Sequence, residues 1–400
     1  MRSRRRIIGT FIGGGLGMAV SERTLQWLRD APAASAEALA ALTVAPPDPI
    51  PPDPQPPEDG MLSLIGNESD LRRALESAAN GARIVVDPAS PPVTVTQKIT
   101  IDVTKDLFYF DGSGLRVGTN IANYDPCFEF TNGKPGFRLK NLYITGSYPN
   151  RQCGDALRFI CAPAGNEDSF YNFFVSGIRI EHVAGNGIFC QGVFEGGFDA
   201  IETNDIGKSG MVFTNGPSGG GTTTQVMCTN CQLSRCDAWG AEQLGGSDQV
   251  TWIAPVFVCN GMGGIHATDG IHLIVNPRLE NAGEVMVVVD RQSWPGAEIV
   301  SPQLASDGAW TRNWVNPHTG PTRYIVKCPQ GAVQVTGVPK LRGYGGSATQ
   351  PGWLQVFAPG SQAAGQKTEA VPSTATTQQA VNQQARPMME VAPGRPKAKG

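Results

Sequence analysis

Glu242 and His266 each stand two residues after a glycine, in the segments Trp239-Gly240-Ala241-Glu242 and Gly263-Gly264-Ile265-His266. A carboxylate and an imidazole at equivalent places in successive segments could divide proton removal and proton donation between them. Trp239 precedes the first of these glycines, where an indole could lie against the apolar face of a sugar ring. Asp237 occupies the turn before Trp239, and Asp269 follows His266 on its own segment. Two carboxyl groups about 5–10 Å apart would serve glycosidic hydrolysis, whereas a histidine or carboxylate beside a uronate could instead abstract its neighbouring proton. Glu242, His266, Asp237 and Asp269 therefore form the candidate catalytic set, with Trp239 as a binding residue. The same residues also fit a solvated surface ion pair with the indole packed under a loop.

A second set is basic. His182, Lys208 and Arg235 each follow an apolar residue, Ile180, Ile206 or Leu233, by two positions. Stacked in a column they would repel one another, and an anionic polymer lying along them would relieve that repulsion. Glu181 and Asp205 are close in sequence and offer the alternative of simple ion pairing. His272 and His318 are isolated, and Arg278 with Glu280 reads as a local pair around Leu279. The nine cysteines include one Cys228-Thr229-Asn230-Cys231 motif with no second pair to complete a zinc site. Several cysteines fall at inward positions, where a small thiol packs well. No phosphate-binding or dinucleotide fingerprint is present, and no cofactor is signalled beyond a calcium ion that carboxylates of neighbouring segments could assemble.

These residues need elements that bring distant positions together, and the chain supplies a repeat. A small or polar residue, glycine, then usually an apolar residue recurs with its glycine at 187, 210, 240, 264, 283 and 308, at spacings of 23, 30, 24, 19 and 25. The long interval contains the glycine-rich stretch Pro217-Ser218-Gly219-Gly220-Gly221. A second column, Ile144, Ile180, Ile206, Leu233, Phe257, Leu279 and Leu304, lies a few residues before a turn, each member preceded by a mostly polar residue. Ala254-Pro255, Asn276-Pro277 and Ser301-Pro302 recur likewise. A period in the low twenties made of short strands and Gly/Asn/Pro turns predicts a parallel β-helix, whose coils each bury an inward row against the next. A propeller blade would need about 40–50 residues, and the leucine-rich pattern is missing.

Composition agrees. With Gly 49, Pro 31 and only 17% charged residues in 400, a helical bundle is excluded, and 40% apolar residues suffice for a core. A net charge of −3 gives no global footprint for nucleic acid. No apolar run reaches the roughly 18–20 residues of a membrane-spanning helix. Residues 1–44 form an N-terminal arm in which Arg4-Arg5-Arg6-Ile7-Ile8 is similar to a twin-arginine export signal. Residues 45–60 are a Pro-rich spacer, 61–358 the β-helix domain and 359–400 an Ala/Gln/Thr/Pro-rich tail expected to be disordered. A helix over Asp70–Ala78, capped by Ser69 or Asp70, stands where the first coil needs a lid.

A cap helix followed by coils ending in Asn-Gly-Ile-like turns resembles the right-handed parallel β-helix proteins of the pectate-lyase-like superfamily, over roughly residues 65–340. The resemblance implies an all-β solenoid that handles carbohydrate, as a secreted or periplasmic polysaccharide lyase or glycoside hydrolase. The alternative it offers is a virion tailspike or adhesin, homotrimeric in the tailspike case, that binds a receptor glycan. It transfers no catalytic residue, since neither the Gly-His-Gly and acidic pairs of the polygalacturonase-like hydrolases nor the calcium and arginine motif of the pectate lyases is present.

Overall fold

The computed structural model describes residues 61–342 and 362–363, less 123, 148–149, 162–169, 217–221, 248, 281–284, 294–295, 306–323, 332 and 337–339. The arm, the spacer and all of the tail except Gln362–Ala363 lie outside the described residues, as do the glycine triplets at 283 and 308. Within them the chain is all-β apart from one helix, α1 (Glu68–Ala79), and every strand pairing is parallel. α1 begins earlier than the sequence suggested. The Asn67 side chain, rather than Ser69 or Asp70, accepts the Asp70 N–H at 3.0 Å, and Glu68 and Asp70 sit in the positively polarised first turn. Its buried face, Leu71, Ala74, Leu75, Ala78 and Ala79, closes the first coil over the strands Arg83–Val86 and Ile99–Asp102.

The coils wind as a parallel β-helix. Nine strands, from Ile99–Asp102 to Tyr324–Lys327, stack into one sheet, while a 21-stranded sheet bends at a corner to form the other two faces. Equivalent positions on adjacent coils are therefore one strand spacing apart, about 4.8 Å. Stacked aromatic and aliphatic rows fill the interior. Phe130 and Phe159 stack at 5.4 Å, and edge-on contacts continue through Phe198, Phe213 and Trp252 to Phe257. All nine cysteines are buried free thiols, and burial pushes Cys153 and Cys236 up to about 12, so neither provides a thiolate near neutral pH.

Three kinds of corner keep the register. At one, a single residue per coil takes the left-handed conformation: Asn141, Gly177, Ala200, Asn230, Ala254, Asn276 and Ser301, with φ between 49° and 62°. Gly177, Ala200, Asn230, Ala254 and Asn276 each donate a backbone N–H to the next coil. This corner is the origin of the recurring Ala254-Pro255, Asn276-Pro277 and Ser301-Pro302 steps. A second left-handed column contains His182, Asp205, Arg235 and Cys259. At the third corner Gly187, Gly210, Gly240 and Gly264 are stacked so closely that an added Cβ would lie 2.5 Å from the Gly210 carbonyl oxygen, 2.6 Å from that of Gly240, 2.9 Å from that of Gly264 and 2.4 Å from that of Met286, respectively.

One sequence register needs correction. Thr203, not Ile206, aligns with Ile180 and Leu233, because Ile206 aligns instead with Val183 and Cys236. Val288 aligns with His266, and Met286 is fully buried in the position that follows Gly264 in the stack. Among the described residues no helix is long and apolar enough to cross a membrane.

The glycine stack yields the first prediction. Gly210→Ala places a Cβ 2.6 Å from the Gly240 oxygen and 2.9 Å from Thr203 Oγ1, and costs about 1–3 kcal/mol. Gly118→Ala, whose nearest neighbour is Thr94 Oγ1 at 3.6 Å, changes stability by no more than about 0.5 kcal/mol. Urea unfolding midpoints of the two variants measure the contrast, and equal midpoints would remove the steric role of the stack.

Candidate active site

The outward row of the nine-stranded sheet runs Thr100, Glu129, Arg158, Phe189, Val212, Glu242, His266 and Val288, one residue per coil. The glycine corner fixes this row, because each member lies two residues, one full pleat, beyond its corner position. Glu242 and His266 are direct cross-strand partners, as their sequence spacing suggested. The Glu242 carboxylate forms an ion pair with His266 Nδ1 at 3.6 Å, and each side chain is 21% exposed.

Two further residues complete the group. Ser209 Oγ donates to Glu242 Oε2 at 2.6 Å and accepts the Trp239 backbone N–H at 3.3 Å. On the other side of the imidazole, Asp290 Oδ2 lies 3.0 Å from His266 Nε2. Sequence reasoning missed both. Asp290 lies two residues past Val288, the position aligned with His266, so the interval between coils did not point to it. Ser209 precedes one of the repeated glycines and carries no periodic mark of chemistry.

The electrostatics follow from these contacts. Burial alone would push the Glu242 carboxyl up, but the bonds from His266 and Ser209 and the charge on His266 outweigh it and hold the group below its ordinary value. For His266, the bond to Glu242 acts most strongly, and Asp290 adds to it. Together they raise the imidazole above its ordinary value against the opposing effect of burial. The site thus favours the protonated form of an imidazole that lies between two carboxyl groups.

Trp239 does not offer the open face expected of it. Its ring is 8% exposed and stacks on the His266 imidazole, centroids 5.4 Å apart at 27°. Gly263, at φ +150°, lets the indole lie against the backbone, since a Cβ there would stand 2.6 Å from Cζ3. The indole thus packs against the His266 ring and exposes little of its own face. Asp269 lies on the same coil as His266 but binds Arg291 at 2.8 Å. Asp237 is drawn to the neighbouring corner, where Arg151 bridges it to Asp205.

At that corner the proposed basic column resolves differently. His182, Asp205 and Arg235 share the left-handed column, so an acid stands between two bases. Lys208 is exposed three residues further on, out of the column. The shift of register at Thr203 causes this displacement. His182 Nδ1 lies 2.7 Å from Asp205 Oδ2, and Arg151 Nη2 lies 2.7 Å from Asp205 Oδ1. Burial would raise the Asp205 carboxyl, but these two bonds and their charges lower it. The cluster ties the 151 segment across two coils. Among the described residues no three His, Cys, Asp or Glu side chains are arranged to hold a metal ion.

No protein-family model matches the chain, and no curated protein matches it in sequence. Three solved structures are similar to it in part. The enzymatically active domain of bacteriophage CBA120 tailspike protein 2 matches 66% of this chain and 44% of its own, with 12% identity and a TM-score of 0.42. The tailspike protein gp49 of the Acinetobacter baumannii bacteriophage Fri1, a capsular polysaccharide depolymerase, matches 71% of this chain and 61% of its own, with 11% identity and a TM-score of 0.35. The catalytic unit of a GH87 alpha-1,3-glucanase from Streptomyces thermodiastaticus matches 77% and 67%, with 12% identity and a TM-score of 0.32. The chain thus spans less than two thirds of both tailspike chains. At these scores the β-helix assignment rests on the chain's own strand ladders.

The charge arrangement has a measurable pH signature. His266, raised in the folded state, contributes its stability fully below its ordinary value and loses it as pH rises through the folded value. Glu242, lowered in the folded state, contributes above its ordinary value and loses it as pH falls through the folded value. The pair is therefore most stabilising between about pH 4.3 and about pH 6.5. NMR titration should place the His266 imidazole above its ordinary value in the wild type and lower in Glu242→Gln. An unchanged titration in that variant would refute the coupling.

Proposed function

We propose that this chain is a carbohydrate-active β-helix that cleaves an acidic polysaccharide by hydrolysis, with Ser209, Glu242, His266 and Asp290 as its acid–base centre. One observation carries the reading: a partly buried imidazole held between two carboxylates on the outward face of a stacked sheet. Glu242, kept ionised, is suited to orient a water and take its proton, and Ser209 fixes the carboxylate's second oxygen. The His266–Asp290 end supplies the proton that the leaving glycosidic oxygen needs as its bond to the anomeric carbon breaks. After turnover Glu242 can return its proton to the adjacent imidazole.

Spacing supports the division of roles. Glu242 and Asp290 contact opposite nitrogens of the His266 ring at 3.6 and 3.0 Å, so one imidazole separates the two carboxylates, an arrangement compatible with the roughly 6.5–9.5 Å between the carboxyl groups of inverting hydrolases. Elimination from a uronate, with the ionised Glu242 taking the proton next to the carboxyl group, is the alternative reaction at the same site. Export through the paired arginines near the N-terminus would bring such an enzyme to an extracellular polymer. Attachment to a virion as a homotrimer is the alternative setting.

A panel of acidic and neutral polysaccharides tests the proposal. New reducing ends should appear without the near-ultraviolet absorbance of unsaturated uronates, and that absorbance would replace hydrolysis by elimination. Glu242→Gln and His266→Ala should each lower kcat by about 10²–10⁴-fold, with the circular dichroism of the β-helix retained. Normal turnover in both variants on a confirmed substrate would sink this assignment.

A further inference from the structure

Near the α1 end, on the two faces formed by the bent sheet, two tyrosines are each held between cations from the coils on either side. The Arg83 guanidinium lies 4.3 Å from the Tyr109 ring centre and Lys140 Nζ lies 5.3 Å from it. One corner away, Arg116 and Arg179 lie 5.1 and 5.2 Å from the Tyr143 ring centre. The register explains the second group, since Arg116, Tyr143 and Arg179 are consecutive members of one outward row.

The cations outnumber their counter-ions. Glu181 is committed to the Tyr143 hydroxyl at 2.5 Å and to Arg179 Nε and Nη2 at 3.0 and 2.6 Å, and Glu202 Oε2 lies 3.9 Å from Arg179 Nε. Asp111 Oδ1 is committed to the Ser113 N–H and the Asn141 amide. Among the described residues no carboxylate lies within ion-pair distance of Arg83, Lys140 or Arg116. Beside the second tyrosine, an open depression of about 370 Å³ is lined by Ser113, Asn141, Tyr143 and Arg179 together with Leu142, Gly114 and Gly177. That volume is at the small end of the roughly 300–1,000 Å³ of ligand sites, a size for one sugar unit. Its lining offers a hydroxyl, an amide, a phenol and a guanidinium.

We propose that this cation–tyrosine row is a second, non-catalytic glycan site that grips the anionic groups of an acidic polysaccharide, with one sugar seated beside Tyr143 and Arg179. The ligand class rests on the proposed function, but the site lies on other faces than the Glu242–His266 group and is read out by binding alone. Cations flank each ring from both neighbouring coils, which leaves little room for a nucleic-acid base to stack. What the row presents is N–H donors around aromatic edges, suited to carboxylate or sulfate oxygens.

The test uses the full chain and fluorescently labelled oligosaccharides of equal length: an oligogalacturonate, a sulfated oligosaccharide and a neutral malto-oligosaccharide, with a single-stranded oligodeoxynucleotide as a fourth probe. At least one acidic sugar should bind the wild type and Glu242→Gln alike, weaken with added salt, and bind the Arg116→Gln/Lys140→Gln double variant at least tenfold more weakly. Preference between the two acidic probes assigns carboxylate or sulfate. Equal binding by the double variant, equal binding of the neutral sugar or the oligodeoxynucleotide, or no acidic sugar bound by the wild type would each overturn the proposal. An unchanged thermal unfolding midpoint shows that the double variant is folded. Loss of turnover only in Glu242→Gln, with binding unaffected in the double variant, rejects this site while leaving the catalytic reading intact. The opposite pattern rejects the catalytic reading alone.

Discussion

Everything in this molecule depends on the backbone ladder between coils. Parallel strands stacked about 4.8 Å apart convert a sequence interval in the low twenties into direct contact, and the corners decide which residues meet. One corner requires residues that accept positive φ, and another requires the absence of a side chain altogether. Neither demand concerns chemistry, yet both set the alignment of Glu242 with His266. Stability in such a stack is largely a nearest-neighbour property, so each coil both supports the next and presents it with a partner.

The ion group on the nine-stranded sheet shows what that alignment achieves. A lone half-buried carboxylate would resist ionisation, but here a hydroxyl and an imidazole on adjacent coils reverse the effect of burial. The imidazole is raised by carboxylates on both sides. Trp239 adds a flat, dry wall that restricts the ring's orientation. The result is two carboxylates held apart by a single ring on the outward face of the nine-stranded sheet.

Much of this was legible in the residues because glycine marks the corner so strongly. Once Gly240 and Gly264 are recognised as equivalent, the pairing two residues later follows. The apolar column was less dependable. Ile206 satisfies the pattern, yet Thr203 occupies the inward place, because the interior accepts a threonine methyl as readily as a branched aliphatic group. That shift of three residues displaced Lys208 from the basic column and put Asp205 in its place. The Arg151 bridge and the tyrosine–cation row were beyond reach for another reason. Both depend on long side chains crossing between coils, and their direction is set by neighbours that a one-dimensional pattern does not contain. Tyr143 and Arg179 were visible as outward flanks of the column, but nothing in their spacing disclosed a shared ring contact.

The corners also determine where the molecule tolerates change. The interval between Gly210 and Gly240 is six residues longer than the one that follows it, yet Thr224–Thr229 keeps its pairing with the strand before and the strand after. Extra residues are absorbed at a bend and leave the frame undisturbed. Such a scaffold separates what must stay constant from what can be exchanged. Bends can be lengthened or replaced, coil by coil, while Glu242 and His266 keep their alignment.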